Sequence, residues 1–80
     1  MQELVEYIAW SLVDHPDAVV VREIPDRDRM EVHLQVDPDD MGRVIGKEGR
    51  IAQAIRTLMK VAASQEGLPP LLIIGPTTQR

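Results

Sequence analysis

The chain has no cysteine and no phenylalanine, and Tyr7 and Trp10 are its only aromatic residues. Without thiols there is no disulfide framework, no thiolate nucleophile and no thiolate metal site, a composition that fits a reducing compartment. Without strand aromatics there is no stacking platform of the kind on which many single-strand binders lay their bases. No apolar run exceeds five residues, against the roughly 18 that a membrane-spanning helix requires. The chain opens on acids rather than on a basic leader, and it reads as a soluble cytoplasmic protein with no membrane association.

Catalytic and metal-binding patterns are equally scarce. His15 stands beside Pro16 at a helix end and His33 on the outward face of a strand. Neither has an evident partner for metal binding or acid-base chemistry, so both read as surface residues. A phosphate-binding P-loop needs Gly-x-x-x-x-Gly-Lys-Ser/Thr; here Gly42 lies one residue too close to Gly46, and Glu48 takes the place of the hydroxyl. Asp37, Asp39 and Asp40 cluster, but their place at a helix start with Pro38 is accounted for by capping. The expectation is a protein that is not an enzyme and has no cofactor and no metal.

What is present is unevenly distributed. The formal net charge is -4. Residues 1–40 hold eleven acids and three bases, and residues 41–80 hold six bases and two acids. Such asymmetry marks a local anion-binding face on an acidic body, although solvated basic helix faces produce it too. Eighty residues make one domain, and a domain of this size buries only about 60 to 65 per cent of its unfolded surface. Dimerisation would add burial.

Periodicity divides the chain into six elements. From Gln2 to about Asp14, Leu4, Val5, Ile8, Ala9, Leu12 and Val13 form a helical stripe that Pro16 stops. Ala18 to Ile24 reads as a strand, Pro25 to Arg29 as a turn, and Met30 to Val36 as a second strand with Met30, Val32, Leu34 and Val36 inward. Asp37-Pro38-Asp39-Asp40 starts a short helix, with an N-cap, a proline at the first position and acids at the positive end. Gly46 ends it. A longer helix follows from about Gly49 to Ser64 or Gln65, with Ile51, Ile55, Leu58, Met59 and Ala62 on one side and Arg50, Gln53, Arg56, Thr57 and Lys60 on the other. Gly67 and Pro69-Pro70 end that helix, Leu71 to Ile74 reads as a buried strand, and residues 76–80 as a frayed tail beyond a domain of residues 1–75. The order αββααβ predicts an α+β fold with a three-stranded mixed sheet, its helices on one face and its last strand parallel to a hairpin strand.

Between the second and third helices lies Val44-Ile45-Gly46-Lys47-Glu48-Gly49-Arg50. Gly46 and Gly49 let the chain turn sharply and expose main-chain N–H groups, and the positive end of a helix begins at Gly49 or Arg50. Lys47 adds a mobile charge, and Arg43 and Arg50 flank the turn as phosphate donors. Glu48 is the exception, an acid free to point to solvent or to pair with Arg50. Read without a ligand, the same glycines are two helix caps that reverse the chain.

This loop in this setting resembles the core of a KH domain. The αββααβ order resembles the type II arrangement, and the run from Asp40 through Ala52 is similar to that of the small bacterial single-KH-domain proteins, the KhpA or YlqC-like family. The resemblance covers nearly the whole chain. It implies binding of short single-stranded RNA, with the backbone on Gly46, Lys47, Glu48 and Gly49 and the bases in an apolar groove. It also implies pairing with a second copy or with a larger KH-containing RNA-binding protein, and a role as a post-transcriptional regulator or RNA chaperone. Ile45, Ala52 and Ile55 are the groove candidates, with Ile45 and Ile55 equally suited to plain core.

Trp10 falls away from the first helix's apolar stripe and Tyr7 near its opposite edge, so both are candidates for a partner interface. Trp10 folded over its own core is the alternative. Two competing readings follow. One is a protein-interaction and dimerisation module with weak or no RNA binding. The other is a helix-turn-helix reader of duplex DNA, whose first helix would be unusually short.

Overall fold

The computed structural model describes residues 1–64 and 67–77. Its order is α1 (Gln2–Leu12), β1 (Val20–Asp26), β2 (Arg29–Val36), α2 (Met41–Ile45), α3 (Arg50–Ala63) and β3 (Pro70–Pro76). The sheet order is β1-β2-β3. β1 pairs antiparallel to β2, and β3 runs parallel to β2 with Val32 opposite Leu72 and Leu34 opposite Ile74. The parallel return needs a crossover, and α2 and α3 supply it. This is the mixed three-stranded sheet and α+β class expected from the element order.

The core forms where one face of the sheet meets the helices. Val32, Leu34 and Val36 of the central strand are fully buried and join Val5 and Ala9 of α1, Val21 of β1, Val44 of α2, Ile55 and Met59 of α3 and Leu72 of β3. Alternation along β2 produces this: every second side chain points inward, and that set is apolar. Each such side chain contributes about 1.5–3 kcal/mol on burial.

Several boundaries differ from the expected ones. The expected turn over Pro25 to Arg29 contracts to Arg27 and Asp28, because hairpin pairing persists to Asp26 opposite Arg29. Pro25 is accommodated because β1 is an edge strand whose outer side needs no ladder donor. The segment Leu71 to Ile74 is not buried throughout. Leu72 is buried, whereas Leu71 and Ile73 are 37% and 38% exposed, since the helices cover only one face of the sheet. Leu58, expected on the core side of α3, is 49% exposed; the inward stripe is Ala52, Ile55, Met59 and Ala63. β3 continues through Pro76, and the Thr77 hydroxyl donates to the carbonyl of Ala18. Gln65, one of the two expected ends of α3, and the tail residues Thr78 to Arg80 lie outside the described residues.

Candidate nucleic-acid interface

The loop between α2 and α3 is built from two different glycines. Gly46 takes φ 79° and ψ 171°, a conformation essentially reserved for glycine. A side chain there would also collide with Ile51, whose Cγ1 lies 2.7 Å and whose backbone nitrogen lies 2.9 Å from a Cβ at that point. Gly49 is left-handed at φ 75° and ψ 15°, with nothing within 4 Å of a Cβ. Glu48 between them is also left-handed, at φ 57°. The backbone therefore doubles back within four residues, and the Gly49 N–H closes the turn on the Gly46 carbonyl at 3.1 Å.

The turn delivers the start of α3 to the surface. No side chain caps that helix, and its first turn holds no acid, so its leading N–H groups and the positive end of its dipole are left for an anion. Arg43 on α2, Lys47 in the turn and Arg50 at the first position of α3 are all exposed. Arg43 Nη2 lies 2.9 Å from Asp14 and its Nε lies 3.7 Å from Asp40. Arg50 lies 3.5 Å from Glu48, the pairing open to it in the sequence. Among the described residues Lys47 has no ion pair.

The apolar candidates separate. Ile45 is partly buried against the core, with part of its surface still free. Ala52 and Ile55 are 4% and 2% exposed. Both lie on the buried, inward stripe of α3. Tyr7 and Trp10 stand 69% and 50% exposed on α1, outside the loop and the two helices that flank it in the chain.

Asp40 and His15 were misread from sequence. Asp40 is 1% exposed and caps nothing at its own helix. Asp37 is the residue that accepts the Asp39 N–H, at 2.8 Å. Asp40 instead accepts the N–H of Asp14 at 3.2 Å, the N–H of His15 at 3.0 Å and a bond to His15 Nδ1 at 3.0 Å. It ties the end of the α1 connection to the start of α2. Burial alone would push its pKa up, but the backbone donors and the imidazole together hold it below the ordinary carboxylate value. The bond to Asp40 in turn raises the pKa of His15. The sequence does hold a signal for this, because Asp40 precedes the fully buried Val44 by one helical turn and so shares its inward face.

His33, also read as unpartnered, lies 2.9 Å from Glu31. That bond holds the Glu31 carboxyl below its usual range. Donor atoms of His15, Asp37 and Asp39 approach within 4.8 Å of one another, the one group among the described residues able to converge on a cation. Nδ1 of His15 and a carboxylate oxygen of Asp37 already hold intramolecular partners. No helix among the described residues is long and apolar enough to cross a membrane.

The chain is 61% identical over 66 residues to the RNA-binding protein KhpA of Caldanaerobacter subterraneus subsp. tengcongensis, covering 82% of this chain and 88% of that protein. The proteins of the same name from Clostridium perfringens and Halalkalibacterium halodurans are 56% and 52% identical, each over 82% of this chain and over 88% and 87% of their own length. No solved structure matches. The family described as KhpA/KhpB, KH domain, matches residues 2–74, and the chain belongs to it.

Proposed function

We propose that this chain is a non-catalytic RNA-binding protein that holds short single-stranded RNA against the Gly46-Lys47-Glu48-Gly49 loop. The observation that carries the reading is the loop itself. A glycine-only turn at Gly46 presents an uncapped helix start among Arg43, Lys47 and Arg50, an arrangement suited to a phosphodiester backbone. The printed name of the relatives, RNA-binding protein KhpA, supports the same substrate class. Ile45 supplies the apolar contact nearest the loop, while Ala52 and Ile55 keep α3 seated beneath it. With few aromatics to stack bases, one domain should bind weakly and with little sequence preference, in keeping with a post-transcriptional regulator or RNA chaperone of the cytoplasm.

The test replaces Lys47 and Glu48 together by Asp. Both side chains are exposed, and Asp is among the residues that accept the left-handed backbone found at Glu48, so circular dichroism should not change. RNA binding should be lost, and retained affinity would sink the proposal. If all three cations reach phosphates, log affinity falls against log salt with a slope of about -2.

Pairing with a second copy or with a larger KH-containing protein is a further part of the reading, and it has its own support. Ala54, Leu58 and Val61 repeat at helical spacing on the outer side of α3, where Leu58 and Val61 are 49% and 67% exposed. Tyr7 and Trp10 add exposed aromatic surface on α1. Sedimentation of the wild type beside Leu58→Asp and Trp10→Ala variants tests this, and a strictly monomeric wild type with no partner in pull-downs would count against it.

A further inference from the structure

Both arginines that flank the loop are already engaged by carboxylates of their own chain. Arg43 faces Asp14 at 2.9 Å, with the buried Asp40 3.7 Å from its Nε, and Arg50 faces Glu48 at 3.5 Å. The first contact is held in place. The Asp14 backbone is fixed by its N–H bond to the buried Asp40, at 3.2 Å, and Asp40 begins the helix that carries Arg43 one turn later. Asp14 therefore sits over Arg43 because the α1 connection is pinned there. Glu48 is equally constrained, since its left-handed backbone lies inside the turn it shares with Arg50.

We propose that Asp14 and Glu48 are internal competitors for phosphate, which occupy Arg43 and Arg50 in the free protein and set its RNA affinity below what three cations would deliver. The inference rests on the loop as the RNA-binding site and adds the residues that tune it. A carboxylate on a guanidinium mimics the phosphate that would replace it, with the same geometry and charge sign. Exposed pairs of this kind are weak, so RNA can displace them, but each exchange breaks one ion pair to form another. Net gain then comes chiefly from Lys47 and the helix end. It follows that each acid costs affinity at every encounter.

The experiment measures binding of a short, labelled single-stranded RNA of mixed sequence to the full chain between about 50 and 200 mM salt. Asp14→Asn and Glu48→Gln should each tighten binding about two- to five-fold at the low-salt end. In the wild type each displaced carboxylate takes up a counterion and offsets part of what the phosphate releases, so neutralising it should steepen the salt slope by up to about 0.7 per variant. The double variant should approach the slope of about -2 expected for three contacts, with the wild type falling short of it. Asp28→Asn, in the β1–β2 turn at the opposite end of the sheet from the loop, changes net charge equally and serves as the control. If Asp14→Asn and Glu48→Gln match that control, or bind more weakly, the proposal is overturned. Lys47→Asp separates this from the site assignment, because it should abolish binding whatever the acids do. Unchanged affinity in Lys47→Asp would overturn the site, and the competitors with it.

Discussion

At the scale of single residues, the two loop glycines predict unequal consequences. Gly46→Asn meets both a glycine-only backbone and the Ile51 side chain, and should destabilise the fold by about 2–4 kcal/mol. Gly49→Asn meets open space and a left-handed conformation that Asn tolerates, and should cost less than about 1 kcal/mol. Denaturant midpoints of the two variants distinguish them. The pattern Gly-x-x-Gly was readable in the sequence, but the difference between its glycines was not, because it depends on where Ile51 folds back. The His15–Asp40 pair was hidden for the same reason: its partners lie 25 positions apart. Because its folded pKa is raised, His15 stabilises the fold fully below its unfolded value near 6.5, and that contribution disappears as pH rises through the folded value. The thermal midpoint of the wild type should therefore fall relative to that of His15→Gln as pH is taken upward from about 6. On the acid side Asp40 acts in the opposite sense, its lowered pKa withdrawing stability as pH drops through it.

At the scale of elements, Leu58 and Val61 are a testable surface. Within one chain they touch little, so Leu58→Asp and Val61→Asp should change monomer stability by no more than about 0.5 kcal/mol, while any self-association measured by sedimentation should vanish. The sequence placed Leu58 on the core side of α3, and the cause is instructive. An amphipathic stripe read from spacing has a fuzzy edge, and the buried face of α3 is turned toward the small residues Ala52 and Ala63, which leaves Leu58 at its margin. β3 shows the complementary ambiguity. Leu71 to Ile74 is apolar throughout, so no alternation announces which face is covered; only the placement of the helices decides that Leu72 is in and Ile73 is out. By contrast β2 alternates apolar and polar side chains, and its inward set was legible at once. The end of α2 was legible at Gly46, whereas α1 ends at Leu12, about two residues before the limit that Pro16 suggests, because a proline bars the helix from continuing without fixing where it stops.

At the scale of the whole molecule, the acidic first half and the basic second half meet at the loop rather than lying apart. α1 and the connection after it bring Asp14 beside Arg43, so the charge asymmetry of the sequence becomes a local juxtaposition in space. That could not be read from composition, since it follows from the packing of α1 against α2. The element order, the mixed sheet and the central place of β2 were all legible, because hairpin and crossover rules leave few alternatives for αββααβ. A chain of this size has a total stability of about 4–12 kcal/mol. Leu34→Ala, at the buried centre of β2, should remove about 2–5 kcal/mol of it, read as a lowered midpoint in urea denaturation with an unchanged slope.

The parallel register of β2 and β3, from Met30 opposite Pro70 to Val36 opposite Pro76, makes the loop part of the very connection that joins the two strands. Turn and sheet are thus joined through α2 and α3, whose buried side chains pack on β2. A ligand seated on the loop then stabilises amides that it never touches. On the proposed assignment of RNA to the loop, hydrogen exchange at Val32 and Leu72, buried under the helices, should slow on addition of RNA, so the sheet can serve as a gauge of what the turn is holding.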